Sequence, residues 1–136
     1  MVRVAERPPR YFSPAEAEAL LPEVDRLLQR AQELLAEIEQ SEPSERAAGD
    51  GRVRVDGRVQ AEPARSQTLK EELYSLIAQI QTHGIVVRDI RSGLIDFPSL
   101  REGVEVFLCW KRGEALRIEW WHPTTTGIAG RRRLDS

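Results

Sequence analysis

Apolar residues recur at intervals of three and four positions in two stretches of the chain, a spacing that places them on one face of an α-helix. The first predicted helix begins at a capping box, in which Ser13 is the N-cap, Pro14 opens the first turn and Glu16 completes the box. Pro22 removes a backbone hydrogen bond inside this stretch, which predicts a kink or two helices meeting at Leu21. The apolar positions are Ala17, Leu20, Leu21, Val24, Leu27, Leu28, Ala31, Leu34, Leu35 and Ile38.

The second predicted helix opens with another capping box, Thr68 and Glu71, and stops at Gly84, which suits a left-handed C-terminal cap. Residues 41–66, between the helices, contain glycine, proline and many charges and are predicted to form a loop or mobile linker. The RVRVDGRV within them has the Asp-Gly turn of a small hairpin, although its flanking runs are short. Two amphipathic helices joined in this way are expected to form an antiparallel hairpin. The apolar positions of the second helix are Leu69, Leu73, Leu76, Ile77 and Ile80.

From Gly84 onward the period of the pattern shortens to two, which is typical of β-strands. Strands are predicted in IVVRDI, GVEVFLCWKR and LRIEWWH, with the GLIDFP segment as a loop. The predicted fold class is α+β, an antiparallel two-helix hairpin packed on a small antiparallel sheet of about three strands. The length of 136 residues suits a single domain over residues 1–136, in which residues 1–10 form a flexible arm.

The stretch EWWHPTTTGIAGRRR contains one of the two histidines and two of the three tryptophans of the chain. If the last strand continues through it, His122 shares a face with Leu116, Ile118 and Trp120 and points toward the helices, while Trp121 points away. His122 is then either a half-buried structural imidazole or a metal ligand or general base at the rim of the sheet. His83 lies in the last turn of the second helix, where the helix dipole favours an imidazolium, so a capping role is expected.

Two carboxylates, Asp89 and Asp96, stand among apolar residues. An unpaired buried acid costs several kcal/mol, so each must find a cation, a metal ion or backbone donors. In the structural interpretation, Asp96 accepts loop amide protons and Asp89 pairs with an arginine. In the alternative, two or three carboxylates and one imidazole form a site for a hard cation. The acids that the helices can add to such a site are Glu16, Glu18, Glu71 and Glu72.

The charge and the cysteine content of the chain limit its expected cellular location and its expected binding partners. The chain has 20 Lys+Arg against 22 Asp+Glu and a net charge of -2, so no overall field attracts nucleic acid or an acidic membrane. Its one cysteine, Cys109, is expected to be packed in a strand with an inert thiol, and a cytoplasmic location follows from the absence of a secretory signal. No apolar run approaches the ~20 residues that span a bilayer. TTTGIAGRRR lacks the lysine of a phosphate-binding loop, so no nucleotide cofactor is expected and the arginines are predicted to form a solvated tail.

The chain resembles a small bacterial family known as domain of unknown function 2203, through segments that cover most of its length. These segments are YFSPAEAEALLP at 11–22, VVRDIRSGLIDFP at 86–98, EVFLCW at 105–110, WH at 121–122 and GIAGR at 127–131. The resemblance implies no defined activity, but it implies metal binding, with iron as a candidate and Asp89, Asp96 and His122 at the matching motif positions. The chain departs from the family at Pro123, where an acid often follows the WH pair.

Two hypotheses for the function follow. In the first, His122, Asp89, Asp96 and Glu71 hold a hard metal ion, iron or manganese. In the second, the chain is a non-enzymatic interaction module that forms a homodimer or binds a partner helix. The second rests on the ten apolar positions of the first helix against the five of the second, which leave apolar surface to cover. Nucleic-acid binding through residues 131–133 is the least favoured function, and no reaction or substrate is predicted.

Overall fold

The computed structural model describes residues 10–47, 52–55, 58–61 and 65–135. The predicted arm, residues 1–10, therefore lies outside the described residues except for Arg10. The Asp-Gly turn predicted at residues 56–57 also lies outside them. No helix among the described residues has the length and apolar character needed to cross a membrane.

Helix α1 spans Pro14–Ala47 without interruption. Its predicted capping box is confirmed, because the Ser13 hydroxyl accepts the Glu16 amide at 3.1 Å and the Glu16 carboxylate accepts the Ser13 amide at 2.8 Å. These two hydrogen bonds hold the pKa of Glu16 below its ordinary value. The prediction that two helices meet at Leu21 is wrong. One backbone hydrogen bond is lost at Pro22, but Leu21 and Val24 on either side are fully buried and keep the helix continuous.

Helix α2 spans Arg65–Thr82 and begins three residues before the predicted start, so Thr68 lies inside its first turn and is not its N-cap. Its predicted end is confirmed, since Gly84 follows it with a φ of 94°. Residues 41–66 hold more regular structure than predicted. Helix α1 continues to Ala47, and strands β1 (Arg52–Val55) and β2 (Arg58–Ala61) pair as an antiparallel hairpin.

The rest of the chain forms an antiparallel sheet of five strands in the order β3-β4-β5-β6-β7. The α+β fold class is confirmed, but this sheet has five strands where about three were predicted. The GLIDFP segment, predicted to be a loop, lies in β4, and two arginines of the predicted tail form β7. The strands are β3 (Val86–Asp89), β4 (Leu94–Arg101), β5 (Val104–Lys111), β6 (Trp120–Pro123) and β7 (Arg132–Arg133).

The apolar face of α1 is covered within the chain. The first half of the helix packs on the sheet, where Leu21 and Leu28 join the core that contains Phe97 and Trp110. The second half packs on α2. The dimer hypothesis assumed that α2 is too short to cover the apolar stripe of α1. The sheet covers the part of that stripe that α2 does not reach. Pairing with a second copy or a partner helix stays a prediction, without that stripe to support it.

The turn between β4 and β5 has two residues with positive φ, Glu102 at 54° and Gly103 at 79°. These values fit the type I′ turn that joins tightly paired strands, a turn in which asparagine and glycine are favoured. Glutamate has no such preference for the left-handed region, so the turn holds local strain at Glu102.

We expect Glu102→Asn to stabilise the protein by about 0.5–1 kcal/mol, because asparagine adopts the left-handed conformation with less strain. Thermal unfolding followed by circular dichroism measures the change in Tm. Glu102→Ala is the matched control, since it removes the carboxylate and keeps the strain. An equal gain in both variants would assign the effect to charge and contradict the strain argument.

Candidate metal centre

The register of the sheet sorts its side chains onto two faces. Ile95 of β4 pairs with Trp110 of β5, and both belong to the core beneath the helices. The neighbouring pair, Asp96 with Cys109, therefore lies on the opposite face. His122 is placed on this same outer face, because it pairs with Phe107, two residues before Cys109.

The direction predicted for His122 is wrong. His122 does share a face with Trp120, but that face points away from the helices, and Trp121 is the tryptophan that packs against the helical core. The prediction assumed one continuous strand, with side chains alternating between faces from residue 116 to residue 122. Strand β6 begins only at Trp120, so this alternation does not apply to the residues before it. The chain before β6 is irregular, so the burial of Ile118 in the helical core says nothing about the face of His122.

Asp96 and His122 form a buried pair, with relative exposures of 2% and 1%. The His122 Nε2 lies 3.0 Å from the Asp96 Oδ2, and Arg88 Nε donates to the same oxygen at 2.9 Å. The second oxygen, Oδ1, is buried and accepts no hydrogen bond within the described part of the chain. A buried carboxylate oxygen without a partner is uncommon in native structures.

The other ring nitrogen of His122 fixes the tautomer. Its Nδ1 lies 2.8 Å from the backbone carbonyl oxygen of Pro123. A carbonyl oxygen only accepts, so Nδ1 carries a proton and donates it. Nε2 is therefore the ring nitrogen directed at the cluster, where it faces Asp96.

Cys109 completes the cluster, with a side chain that is 1% exposed. Its Sγ, a carboxylate oxygen of Asp96 and a ring nitrogen of His122 all lie within 4.8 Å of one another. Burial, and then the negative charge of Asp96, raise the pKa of the Cys109 thiol to about 12, and a weak thiol contact with Asp96, too loose to satisfy Oδ1 as a hydrogen bond, adds to the rise. Arg131 Nη1 lies 3.9 Å from the sulfur and opposes that rise, while its Nη2 donates to Glu114 at 2.5 Å. The thiol that was expected to be inert is inert by itself, but it stands beside two potential metal ligands.

A cavity of about 260 Å³ opens directly on the Asp96–Cys109–His122 cluster. The segment after β6 forms one of its walls, which brings threonine, glycine and Ile128 over the outer face of the sheet. Gly130 lets this segment turn tightly, because a Cβ there would lie 2.6 Å from the Thr126 hydroxyl. The residues that line the cavity are Arg88, Leu94, Asp96, Cys109, His122, Thr124, Thr126, Gly127 and Ile128.

The cluster does not have the geometry of a cysteine nucleophile with its base. In a nucleophilic dyad one imidazole nitrogen faces the thiol and the other faces the orienting acid. Here Nε2 of His122 faces Asp96 and Nδ1 faces the Pro123 carbonyl, so neither nitrogen is directed at Cys109 by its hydrogen bonds. Acyl transfer through Cys109 is therefore not supported.

The structure brings together His122 and Asp96 from the predicted ligands and leaves Asp89 and Glu71 outside the cluster. Asp89 is exposed and closes a turn by accepting from the Ser92 hydroxyl at 2.6 Å and the Ser92 amide at 3.1 Å, and these bonds lower its pKa. Glu71 is exposed on α2, which lies on the helical side of the sheet. Asp96 was expected to accept loop amide protons, but it accepts from Arg88 and His122.

The other candidate residues have structural partners. His83 follows α2 and lies 3.8 Å from the Glu23 carboxylate, and Glu16 caps α1. Glu18 accepts the amide of Ile118 at 3.0 Å, and Glu72 pairs with Arg30 at 2.9 Å.

The arginine run after the cluster is not a solvated tail. Arg132 and Arg133 form β7, which pairs with Trp121 and Trp120 of β6. The guanidinium groups of Arg131 and Arg133 lie 4.5 and 4.8 Å from the Trp120 ring centre, distances at which cation–π attraction holds the two strands together. The adjacent tryptophans of β6 and the arginines of β7 therefore lie on two paired strands at the edge of the sheet, beside the cluster.

Sequence reasoning missed Cys109 as a potential ligand and Arg88 as the partner of Asp96. The sequence did contain one signal for this pair. Asp96 and Cys109 each lie between apolar neighbours, and because their two segments pair as strands, both side chains fall on the same face of the sheet. Recognising it required β4 to be predicted as a strand.

The fold and the cluster define a class, a small α+β protein with a buried Asp-Cys-His group on the face of its sheet opposite α1 and α2. Residues 10–134 match the model of a protein family described as "Uncharacterized conserved protein (DUF2203)", and the chain belongs to this family. No curated protein and no solved structure matches the chain.

We expect Asp96→Asn to lower the free energy of unfolding by about 3 kcal/mol. The change removes the negative charge that compensates Arg88 and faces His122, and breaking a buried pair costs roughly 3–5 kcal/mol, reduced here because Arg88 is partly exposed. Urea denaturation measures the loss. Asp89→Asn is the matched control, for which we expect a change below about 1 kcal/mol. Equal losses would show that Asp96 is not the more important acid.

We expect Cys109 to resist alkylation by iodoacetamide at pH 8 in the metal-free folded protein, by at least about a hundredfold relative to the urea-unfolded chain. The raised pKa leaves almost no thiolate at that pH, and burial blocks the reagent. Mass spectrometry of the alkylated fraction against time measures both rates. Similar rates in the two states would show that the thiol is exposed and ionised.

Proposed function

We propose that this protein binds a divalent transition-metal ion through Asp96, Cys109 and His122. The observation that carries the proposal is the buried Asp96 Oδ1, which accepts no hydrogen bond from the described residues although a thiol and an imidazole lie beside it. A bound cation supplies the partner that this oxygen lacks.

The hydrogen bonds of His122 favour the same function. Metal-binding histidines usually donate their second ring N–H to a carbonyl or a carboxylate, which fixes the ring and its tautomer. His122 donates from Nδ1 to the Pro123 carbonyl at 2.8 Å, so Nε2, which faces Asp96 Oδ2 at 3.0 Å, is the nitrogen that would bind the metal in place of that contact. Pro123 thus takes part in the site through its backbone oxygen.

Arg88 supports the site from outside. Its Nε donates to Asp96 Oδ2 at 2.9 Å, so one carboxylate oxygen is held by the guanidinium and the other is left for the ion. Ligating carboxylates are commonly held by a hydrogen bond of this kind.

The thiol decides between metals. Thiolate ligands suit zinc and ferrous iron, whereas manganese prefers carboxylates and water. Of the two metals predicted from the sequence, Cys109 favours iron over manganese, and it adds zinc as a candidate. The three donor atoms lie within 4.8 Å of one another, and they would have to approach to about 3.5 Å around tetrahedral zinc. Three protein ligands beside a cavity leave a position at which the metal supplies Lewis-acid chemistry.

A cytoplasmic location fits this proposal, because a metal-binding thiol must stay reduced and the cytoplasm keeps it so. The single Cys109 has no second cysteine with which to form an internal disulfide.

Elemental analysis by mass spectrometry tests the proposal on untagged protein purified without chelator. We expect near-stoichiometric zinc or iron in the native protein and none in His122→Ala. Cys109→Ser keeps the shape of the side chain and removes the soft donor, so we expect it to fold and to lose at least about tenfold in affinity for zinc.

Asp89→Asn and Glu71→Gln are the matched controls, since both acids were candidate ligands and both lie outside the cluster. We expect them to retain the metal of the native protein. Circular dichroism separates loss of metal from loss of fold. Native protein that arrives without metal and takes up neither zinc, ferrous iron nor cobalt would refute the proposal, as would equal metal loss in the controls.

A further inference from the structure

We propose that the cavity over the Asp96–Cys109–His122 cluster is a binding site for a small monocarboxylate, whose oxygens contact both the metal ion and the guanidinium of Arg88. This inference rests on the proposed metal site and adds to it the chemical class of the ligand. It is carried by the side chains around the cavity, by their charges and by the size of the space.

The first step concerns coordination. Structural zinc sites are closed by four protein ligands, whereas sites that act on a small molecule have three and keep a position open. The cluster offers three donors, and a cavity of about 260 Å³ meets all three residues. The fourth ligand is therefore expected to come from the cavity.

The second step concerns Arg88, the arginine in the wall of this cavity. Two contacts fix its guanidinium: Nε donates to Asp96 at 2.9 Å, and the group lies 4.8 Å from the Phe107 ring centre. Its terminal nitrogens make no hydrogen bond to the described residues, and the side chain is 42% exposed. A guanidinium held in one plane with free terminal N–H groups is suited to a carboxylate, which it binds through two parallel hydrogen bonds.

The third step is the charge of the site. A divalent ion carries two positive charges, which the Asp96 carboxylate and the Cys109 thiolate cancel, while neutral His122 adds none. Arg88 then leaves one positive charge, because the other nearby guanidinium, Arg131, is paired with Glu114. One monocarboxylate restores neutrality, whereas a phosphate dianion leaves an excess negative charge in a partly buried site.

The fourth step is size and wall chemistry. The cavity volume of about 260 Å³ lies just below the range for drug-sized pockets, about 300–1,000 Å³, so it suits a ligand of a few heavy atoms. Threonine hydroxyls of Thr124 and Thr126 provide polar contacts, and Leu94 with Ile128 provide an apolar side. A short carboxylic acid with a small apolar or polar substituent matches this mixture.

The test uses the full chain loaded with cobalt(II), whose visible absorption reports both thiolate coordination and the binding of a further ligand. Acetate and pyruvate are the probes, and inorganic phosphate is the comparison anion. We expect saturable changes in the cobalt bands with both carboxylates and no comparable change with phosphate. Arg88→Lys keeps the positive charge and removes the two-pronged donor, so we expect carboxylate binding to weaken by about ten- to a hundredfold. Because Arg88 also holds the Asp96 ligand, its cobalt affinity is titrated separately, and carboxylate binding is compared at cobalt saturation in both proteins.

Arg91→Gln is the matched control, because Arg91 is an exposed neighbour that pairs with Glu39 and does not line the cavity. We expect it to bind acetate as the native protein does. If acetate up to roughly 100 mM leaves the spectrum of the cobalt-loaded protein unchanged, this inference is overturned, because binding weaker than that is not specific binding. The proposed metal site is not affected by that result. Equal responses to acetate and phosphate, or native affinity in Arg88→Lys, also overturn the inference. Protein that binds no cobalt overturns both the metal site and the carboxylate.

Discussion

The burial of the Asp96 carboxylate is the constraint on which the outer half of this structure depends. A buried carboxylate is stable only with a cation, a proton donor or a metal ion close by. Arg88 reaches it from β3 and His122 reaches it from β6, so strands on both sides of the β4–β5 pair must hold their register. The burial of Asp96 therefore constrains both the register of the sheet and the set of side chains in the cluster. A slip of one residue in either strand would turn its side chain to the other face and leave Asp96 without that partner.

This constraint requires the sheet to be covered on both faces. The helices cover one face through an ordinary apolar core. The other face is covered by the segment after β6, which is too rich in threonine and glycine to pack by apolar contacts alone. It is held by its end: β7 pairs with β6, Arg131 and Arg133 stack on Trp120, and Arg131 donates to Glu114. The cover of the site is thus fixed by cation–π and ionic contacts, and it leaves a polar cavity where an apolar segment would have filled the space.

The features that could be predicted from the sequence are those set by near neighbours in the chain. The first capping box, the Gly84 cap, the two helices and the α+β class all follow from local hydrogen bonds and from periodicity. The outer face could not be predicted in the same way. Strand β4 has Pro98 in its interior, and the face of His122 depends on where β6 begins. Cys109 resembled a core residue because it is apolar in character and buried, and only the pairing of β4 with β5 places it beside Asp96 on the outer face.

The composition of the cluster argues against a purely structural role. Packed apolar side chains of similar volume commonly match or exceed the stability of a buried ion pair, so a sheet needing only a second core has no use for Asp96, His122 and an uncapped oxygen. The helical face of the same sheet shows that this chain can build such a core. Replacing Asp96, Cys109 and His122 by apolar residues would remove the cost of burying charge, and it would also remove the Asp96 Oδ1 that has no hydrogen-bond partner among the described residues. A thiol, an imidazole and a carboxylate at one point, beside a cavity and a guanidinium held by Asp96, are the donors on which the proposed metal site rests.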